Sequence, residues 1–445
     1  MKRTLWMAAV LSLGQACALG QQSDAALPRT ITLHEAVEMA LKHNHAVRLA
    51  GLHVEEEQQA RQIAKSKYLP GLRNDTSFLR MSDTQFIQFP AGAFGDGIPT
   101  RSVTVNQGGR SFFLSGTQIT QPLGELFKIK AGVDVAQADL IASRASARGT
   151  ENQVDLKVRQ LFYKIVVVQS QHDAAEAKIR AADQLQVERV AQLKNGAALD
   201  VDLIESRAQS LQAKQELLTT DLQLSDLRMQ FNDVVGLPIN SEVGLDSNVQ
   251  IEPAPCLREE CVKLALDSNP EVAEARAQVD KAAAGVSEAK REYIPDVEAF
   301  ARYSHQNNSV PFLAPNFGTF GVHLGYDFFD GGKKLATLRE RNALLRQAKE
   351  NLARIQDEVE VRVQTACNKL ERTQQMVSVS QELLAARKEG HRVSDEQLVR
   401  GAFLPSQSKT AAAQEMEAET LLLQAQLEFI QAQDELNEAV GLTAD

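Results

Sequence analysis

Leu33-His-Glu-Ala-Val-Glu-Met-Ala-Leu41-Lys-His-Asn44 occurs a second time in this chain, as Leu257-Arg-Glu-Glu-Cys-Val-Lys-Leu-Ala265-Leu266-Asp-Ser-Asn269-Pro270. Both copies run on as apolar-periodic helix. They close alike, in Lys65-Ser-Lys-Tyr68-Leu-Pro70 and Lys290-Arg-Glu-Tyr293-Ile-Pro295. The offset is 225 throughout (266 − 41, 293 − 68, 295 − 70). A second register of 205 follows, pairing Gly196 with Gly401, Leu199 with Leu404 and Val235-Gly236-Leu237 with Val440-Gly441-Leu442. Two registers across nearly the whole chain define a tandem duplication of about 200 residues.

Composition agrees with a helical repeat. Of 445 residues only 5% are aromatic, with one Trp and 13 Pro, while Ala, Gln, Glu and Leu abound, a bias toward long helices or coiled coil. The net charge of −10, with no basic block, argues against nucleic acid as a partner. Met1-Lys2-Arg3 ahead of the apolar run Leu5–Leu13 has the layout of a secretory signal, expected to be removed near residue 20. That run is too short to span a bilayer as a helix, and no later stretch approaches the required length. An exported chain of this kind is either soluble or inserted as a β-barrel.

The expected organisation is a first repeat over 21–245 and a second over 246–445. Thr32 is placed to cap the first helix, with Glu35 completing a capping box. Asn44 and Asn269-Pro270 break each entry helix, and Pro70 and Pro295 end it. The residues after the prolines alternate. Phe320, Val322, Leu324, Tyr326 and Phe328 share one face of Phe317–Phe328, against Thr319, Gly321, His323, Gly325 and Asp327. That period of two predicts a strand long enough to cross a bilayer, its apolar row facing lipid if the hairpins pool with those of other chains in a membrane and do not sit in water. One hairpin per repeat, over 71–123 and 296–329, gives four strands. The first, with strands expected over Leu72–Phe89 and Arg110–Leu123, has a poorer alternation and an inserted Gly-rich loop (Pro90–Gly97). Four strands cannot close a barrel, and open edges are not tolerated in lipid.

A long helix is expected after each hairpin, over 128–193 and 333–398. Each would reach about 100 Å at 1.5 Å per residue. The first carries a seam of Val154, Val158, Leu161, Ile165, Val168, Ala175, Ile179 and Ala182, interrupted by His172. Gly196 and Gly401 end the long helices. Return helices are expected over 200–235, capped by Asp200, and 405–440, opened by Pro405. Their apolar face is double, with Leu211, Leu218, Leu222 and Met229 beside Leu217, Leu224 and Phe231, so each must touch two neighbours. Two short helices end to end match one long helix alongside.

The chain offers little chemistry. His43, His45 and His53 have Ser268, Pro270 and Gln278 as their counterparts, and no Cys or carboxylate set completes a metal site. Gly331-Gly332-Lys333-Lys334 lacks the first glycine of a phosphate loop and reads as a strand-to-helix turn. Cys256 and Cys261 could pair in an oxidising compartment, whereas Cys367 reads as a buried thiol. No catalytic constellation assembles, and no cofactor is expected.

The doubled Ala-Leu-x-x-Asn start (Ala40–Asn44, Ala265–Asn269), the Tyr-x-Pro stops, Asp330-Gly331-Gly332 opening a long helix and the paired Gly turns resemble the TolC-like outer-membrane efflux and secretion channels. The resemblance covers about Thr30–Leu442. It implies a homotrimer, whose twelve pooled strands close one outer-membrane barrel above a periplasmic helical tunnel. It further implies a passive conduit of an efflux pump or type I secretion system, with an inner-membrane transporter supplying energy. The turns, Gly196 and Arg400-Gly401, would face a periplasmic adaptor protein. Family positions six and nine residues after the turn glycine line the closed end. Here they are Asp202 and Glu205 in the first repeat but Gln407 and Thr410 in the second, so an acidic constriction from that repeat is in doubt. The competing reading is a soluble periplasmic coiled-coil scaffold or adaptor-type protein, although no lipoyl-like domain separates the helical arms.

Overall fold

The computed structural model describes residues 30–84, 86–106, 109–246, 257–307 and 314–442. In chain order the first repeat comprises β1 (Thr30–Ile31), α1 (Leu33–His43), α2 (His45–Ser66), β2 (Gly71–Arg80), β3 (Phe86–Phe89), β4 (Val103–Asn106), β5 (Ser111–Pro122), α3 (Leu126–Lys194) and α4 (Asp200–Val235). After β6 (Gly244–Leu245), the second repeat comprises α5 (Arg258–Ser268), α6 (Pro270–Arg291), β7 (Asp296–Gln306), β8 (Asn316–Gly325), α7 (Lys333–Val399) and α8 (Pro405–Val440). The expected signal over 1–20 lies outside the described residues. Among those described, no helix is long and apolar enough to cross a membrane.

The duplication is visible element by element. Helices α1 and α5 are both 11 residues long, α2 and α6 both 22, and α4 and α8 both 36. Thr32 and Glu35 form the expected capping box, each backbone N–H bonded to the other's side chain at 3.2 and 3.3 Å. Asn44 and Asn269 each end one helix and cap the next. Their side-chain amides also donate to the last turns of the return helices, Asn44 to the Val234 carbonyl (3.1 Å) and Asn269 to that of Ala439 (2.9 Å). Each break is thereby stapled to the end of a return helix, and the short helices stack end to end as their lengths require.

The rods form one row. Helix α3 packs against α2 and α4 on one side and α6 and α8 on the other, and α7 packs against α6 and α8. The row is therefore α2/α4, then α3, then α6/α8, then α7, with its two outer faces open. Two equivalent cores hold it. One gathers Val158, Phe162, Phe231 and Val235, the other Val363, Cys367, Leu436 and Val440. These are the same four positions 205 apart. Burying a side chain such as Phe231 contributes roughly 1.5–3 kcal/mol.

A polar cluster joins the repeats inside this apolar layer. The Tyr163 hydroxyl donates to Asp434 Oδ2 at 3.0 Å, and Arg159 lies 2.8 Å from Asp155 and 3.5 Å from Asp434. Desolvation is the main cause that lifts the Asp434 carboxyl to about 6, against the opposing pull of Arg159 and the Tyr163 hydrogen bond.

The four long strands form one antiparallel sheet in the order β2-β5-β7-β8. Its edges, β2 and β8, are 10 residues each and, among the described residues, unpaired on their outer sides. The expected first strand, Leu72–Phe89, is not continuous. It stops at Arg80, and residues 86–89 pair with 103–106 as a separate small hairpin. The other expected long strand also ends early, at Gly325, so Tyr326 and Phe328 lie beyond the ladder.

Candidate functional site

The first functional surface is the sheet. Antiparallel partners share a face, so the register places Leu72, Ile119, Ala301 and Phe320 in one row and Ala299 with Val322 in the next. Phe320, Val322 and Leu324 are 88%, 66% and 66% exposed, which suits a face toward lipid and not a core. The opposite face carries Arg73, Asp75, Gln118, Arg302 and Thr319, with Arg73 and Asp75 paired at 2.8 Å. Arg302 stands opposite Thr319 in the ladder. Along β8 and the adjoining part of β7 one face is thus apolar, while the charged groups of the sheet gather on the other, as for a barrel with an aqueous lumen. Tyr326 and Phe328, outside the strand, stack edge-on with centroids 5.2 Å apart below it.

The first hairpin hides a feature its sequence did not reveal. On the same side as Leu72 and Ile119, Asn74 donates to Thr117 (2.8 Å) and Thr76 shares a hydrogen bond with Ser115 (3.1 Å). This polar ladder interrupts the outward face, which is why the alternation there is weak.

The second surface is the far end of the rods. Gly196 and Gly401 have φ of +69° and +74°, the left-handed geometry that only glycine adopts without strain. Each turn closes on the preceding helix, Ala197 N–H donating to the Gln192 carbonyl and Ala402 N–H to that of Gln397, both at 2.9 Å or less. Leu199, Val201 and Val399 are largely exposed around these glycines. Arg400 is exposed beside them, its guanidinium 4.0 Å from Glu396.

The four constriction candidates sit in the first turns of α4 and α8. Asp202 accepts the Leu199 N–H and Gln407 that of Leu404, both at 2.9 Å. Both side chains thus cap their helices, and Asp200, expected as the cap, is instead the first residue of α4 after Leu199. The Thr410 hydroxyl donates to the Ser406 carbonyl at 2.8 Å, and Glu205 is exposed.

Other residues at this end were not singled out from the sequence. Glu188 on α3 accepts from both the backbone N–H (2.7 Å) and the hydroxyl (2.5 Å) of Ser406, tying the start of α8 to the first repeat. His391 lies 2.6 Å from Glu415 and 3.3 Å from Asp395, and Ser408 donates to Asp395 at 2.5 Å. On densely charged helices no spacing marks such residues out.

The expected Cys256–Cys261 pairing falls partly outside the described residues. Cys261 is half-buried, and burial together with the Glu260 carboxylate pushes its thiol pKa up. Cys367 is the disulfide-bonded residue and not a buried thiol. Cys256 lies outside the described residues. Among the described residues no His, Cys, Asp and Glu group could hold a metal ion, and His53 is paired with Glu56 at 3.2 Å.

A sheet with one lipid-type and one aqueous face, carried on a long row of helical hairpins, defines a channel-forming outer-membrane protein. The chain matches the family model of the outer membrane efflux protein over residues 36–236 and 261–442 and belongs to that family. Among curated proteins it is 25% identical over 239 residues to the alkaline protease secretion protein AprF of Pseudomonas aeruginosa. That stretch is 51% of this chain and 48% of the relative, so the chain spans about half the length of the curated protein it matches. Among solved structures it resembles the CmeC outer membrane channel of Campylobacter jejuni, with a TM-score of 0.75 at 13% identity, over 97% of this chain and 94% of that one. It also resembles the open state of the MtrE outer membrane channel of Neisseria gonorrhoeae, with a TM-score of 0.73 at 16% identity, over 92% and 89% of the two chains. These likenesses extend over both repeats, and the family is one of channels and not of enzymes.

Proposed function

We propose that three copies of this chain close into one passive conduit, the outer-membrane component of an efflux pump or type I secretion system. The observation that carries this reading is the pair of open edges. Strands β2 and β8 are equally long and unpaired outward, and a lipid-facing edge must find a partner. The helical row is open in the same sense. Ile204, Ala208, Leu211, Gln215, Leu218 and Leu222 form an exposed seam on α4 with alternating four-three spacing. Met376, Val379, Leu383, Ala386, Gly390 and Val393 form another on α7.

The two seams run at the same height. Ile204 and Val393 each lie 8 residues from their turn glycine (204 − 196, 401 − 393), and Leu218 and Val379 each lie 22 (218 − 196, 401 − 379). An α4 seam and the α7 seam of the next chain then mesh as knobs and holes. Twelve pooled strands close the barrel, leaving the face with Arg73, Asp75 and Arg302 around water.

Energy then comes from elsewhere, since a water-filled tunnel performs no work. The exposed Gly196 and Gly401 turns, with Arg400, form the surface for a periplasmic adaptor, which joins the conduit to an inner-membrane transporter. The test is fractionation with gel heat-modifiability. The conduit reading expects the chain in the outer membrane as an oligomer that dissociates only on heating. A soluble periplasmic monomer would support the scaffold reading instead.

A further inference from the structure

At the rim where strands meet helices, the charge of the chain reverses. The junction stretches 65–70, 125–130, 290–296 and 327–334 hold eight Lys and Arg against five Asp and Glu (8 − 5 = +3). The chain as a whole carries −10. The four stretches share one level, because β2, β5, β7 and β8 are neighbours in a single sheet and start or end together, Gly71 opposite Thr120 and Asp296 opposite Gly325.

Two of the five acidic residues at this rim are already engaged. Asp296 pairs with Lys128 at 2.5 Å, and Asp330 accepts the backbone N–H groups of Gly332 and Lys334 at 3.0 and 2.8 Å. Lys334 itself lies 5.1 Å above the Tyr326 ring. Lys65, Lys67, Lys130, Lys290 and Lys333, by contrast, make no ion pair among the described residues, and all but Lys65 are exposed.

Apolar and aromatic groups adjoin this basic level on its barrel side. Leu69, Phe328 and Phe329 are 69%, 93% and 90% exposed, and Tyr68, Tyr293 and Tyr326 are partly so. Beyond them begins the outward face of Leu324, Val322 and Phe320. A lipid-facing belt, then interfacial aromatic residues, then unpaired lysines is the order in which a bilayer presents hydrocarbon, carbonyl and phosphate.

We propose that this rim is a collar for anionic glycerophospholipid, its lysines taking headgroup phosphates of the leaflet on the helical side. The inference rests on the outer-membrane channel reading and names the lipid class and residues that would anchor it. Each lysine near an anionic surface favours it by about fivefold, so several together discriminate charge strongly. Long stems let lysines at different angles around each helix reach the same plane.

The test compares lipid retained by the detergent-extracted full-length protein after exchange into mixed phosphatidylglycerol and phosphatidylcholine nanodiscs of matched acyl chains. Wild type should retain phosphatidylglycerol in preference by fivefold or more, and the preference should fall with added salt. The set Lys65→Gln, Lys67→Gln, Lys130→Gln and Lys333→Gln should retain the two lipids equally, whereas the corresponding Lys→Arg set should keep the preference. The particle mass, measured alongside, reports separately on whether the channel assembles. Equal retention of both lipids by assembled wild type would overturn the collar. So would a Gln set that changes only the ion selectivity of the pore in a planar bilayer, which would assign these lysines to the lumen.

Discussion

The Gln407 side chain accepts the backbone N–H of Leu404 at 2.9 Å, as Asp202 does from Leu199 in the other repeat. The two repeats thus solve one capping problem with an amide in one case and a carboxylate in the other. A carboxylate ring at the narrow end would concentrate cations, and an amide ring would not. Wild-type conductance in planar bilayers should therefore be blocked only weakly by trivalent cations added from the tip side. Gln407→Asp keeps an acceptor near the cap and should strengthen the block. Strong wild-type block that disappears only in Asp202→Asn would move the constriction to the first repeat.

Two glycines should respond to substitution for different reasons. At Gly401 an added Cβ meets no atom within 4 Å, so Gly401→Val costs backbone strain alone, about 1 kcal/mol or more. Assembly should survive while adaptor recruitment fails, as read by co-purification. At Gly441 (φ +85°) a Cβ would stand 2.7 Å from the Asn269 Cα and from the Ser268 carbonyl oxygen. Gly441→Ala should therefore push apart the stapled break between α5 and α6 and lower the unfolding temperature clearly further than Gly401→Ala does. Equal losses would show that the staple is not tight.

Strand face decides the cost of a charge. Val322→Arg places a cation on the lipid side and should cost roughly 2–4 kcal/mol near the midplane. Thr319→Lys, on the aqueous face opposite Arg302, should be milder. The yield of folded, heat-modifiable protein in the outer membrane measures both. Equal assembly of the two variants would invert the assigned faces.

The buried cluster between the repeats predicts a pH dependence with a definite sign. An ordinary Asp titrates near 3.9 in an unfolded chain, whereas burial holds Asp434 at about 6. Between these values the folded state binds the extra proton. The contribution of this group is thus fully present below about pH 4 and is lost as pH rises through 6. The size is on the order of 3 kcal/mol. Asp434→Asn should flatten this part of the unfolding profile between pH 4 and 6. An unchanged slope in the variant would place the titration on another group.

The helices were legible because their punctuation is local. Pro405, Gly236 and Gly441 bound α4 and α8 to the residue, and Thr32 with Glu35 opens α1 as its spacing demands. The second hairpin was legible because Phe320, Val322 and Leu324 alternate with polar residues. The first was not, since Asn74, Thr76, Ser115 and Thr117 satisfy one another on the outward face and erase the pattern. The cap of α4 was misplaced by one residue, because a leucine at the N-cap gives no signal and the acceptor sits three positions later in Asp202. The Glu188–Ser406 tie depends on which helices become neighbours, and no periodicity records that.

The central claim is closure of three chains edge to edge, and a disulfide between the two open seams tests it most directly. Leu218→Cys and Val379→Cys, combined in one chain, place thiols at the same height on α4 and α7. After mild oxidation in native membranes, non-reducing gels should show covalent species ending at three copies, and neither single variant should build that ladder. A double variant that stays monomeric in the membrane, or that links into species beyond three copies, would contradict the closed trimer.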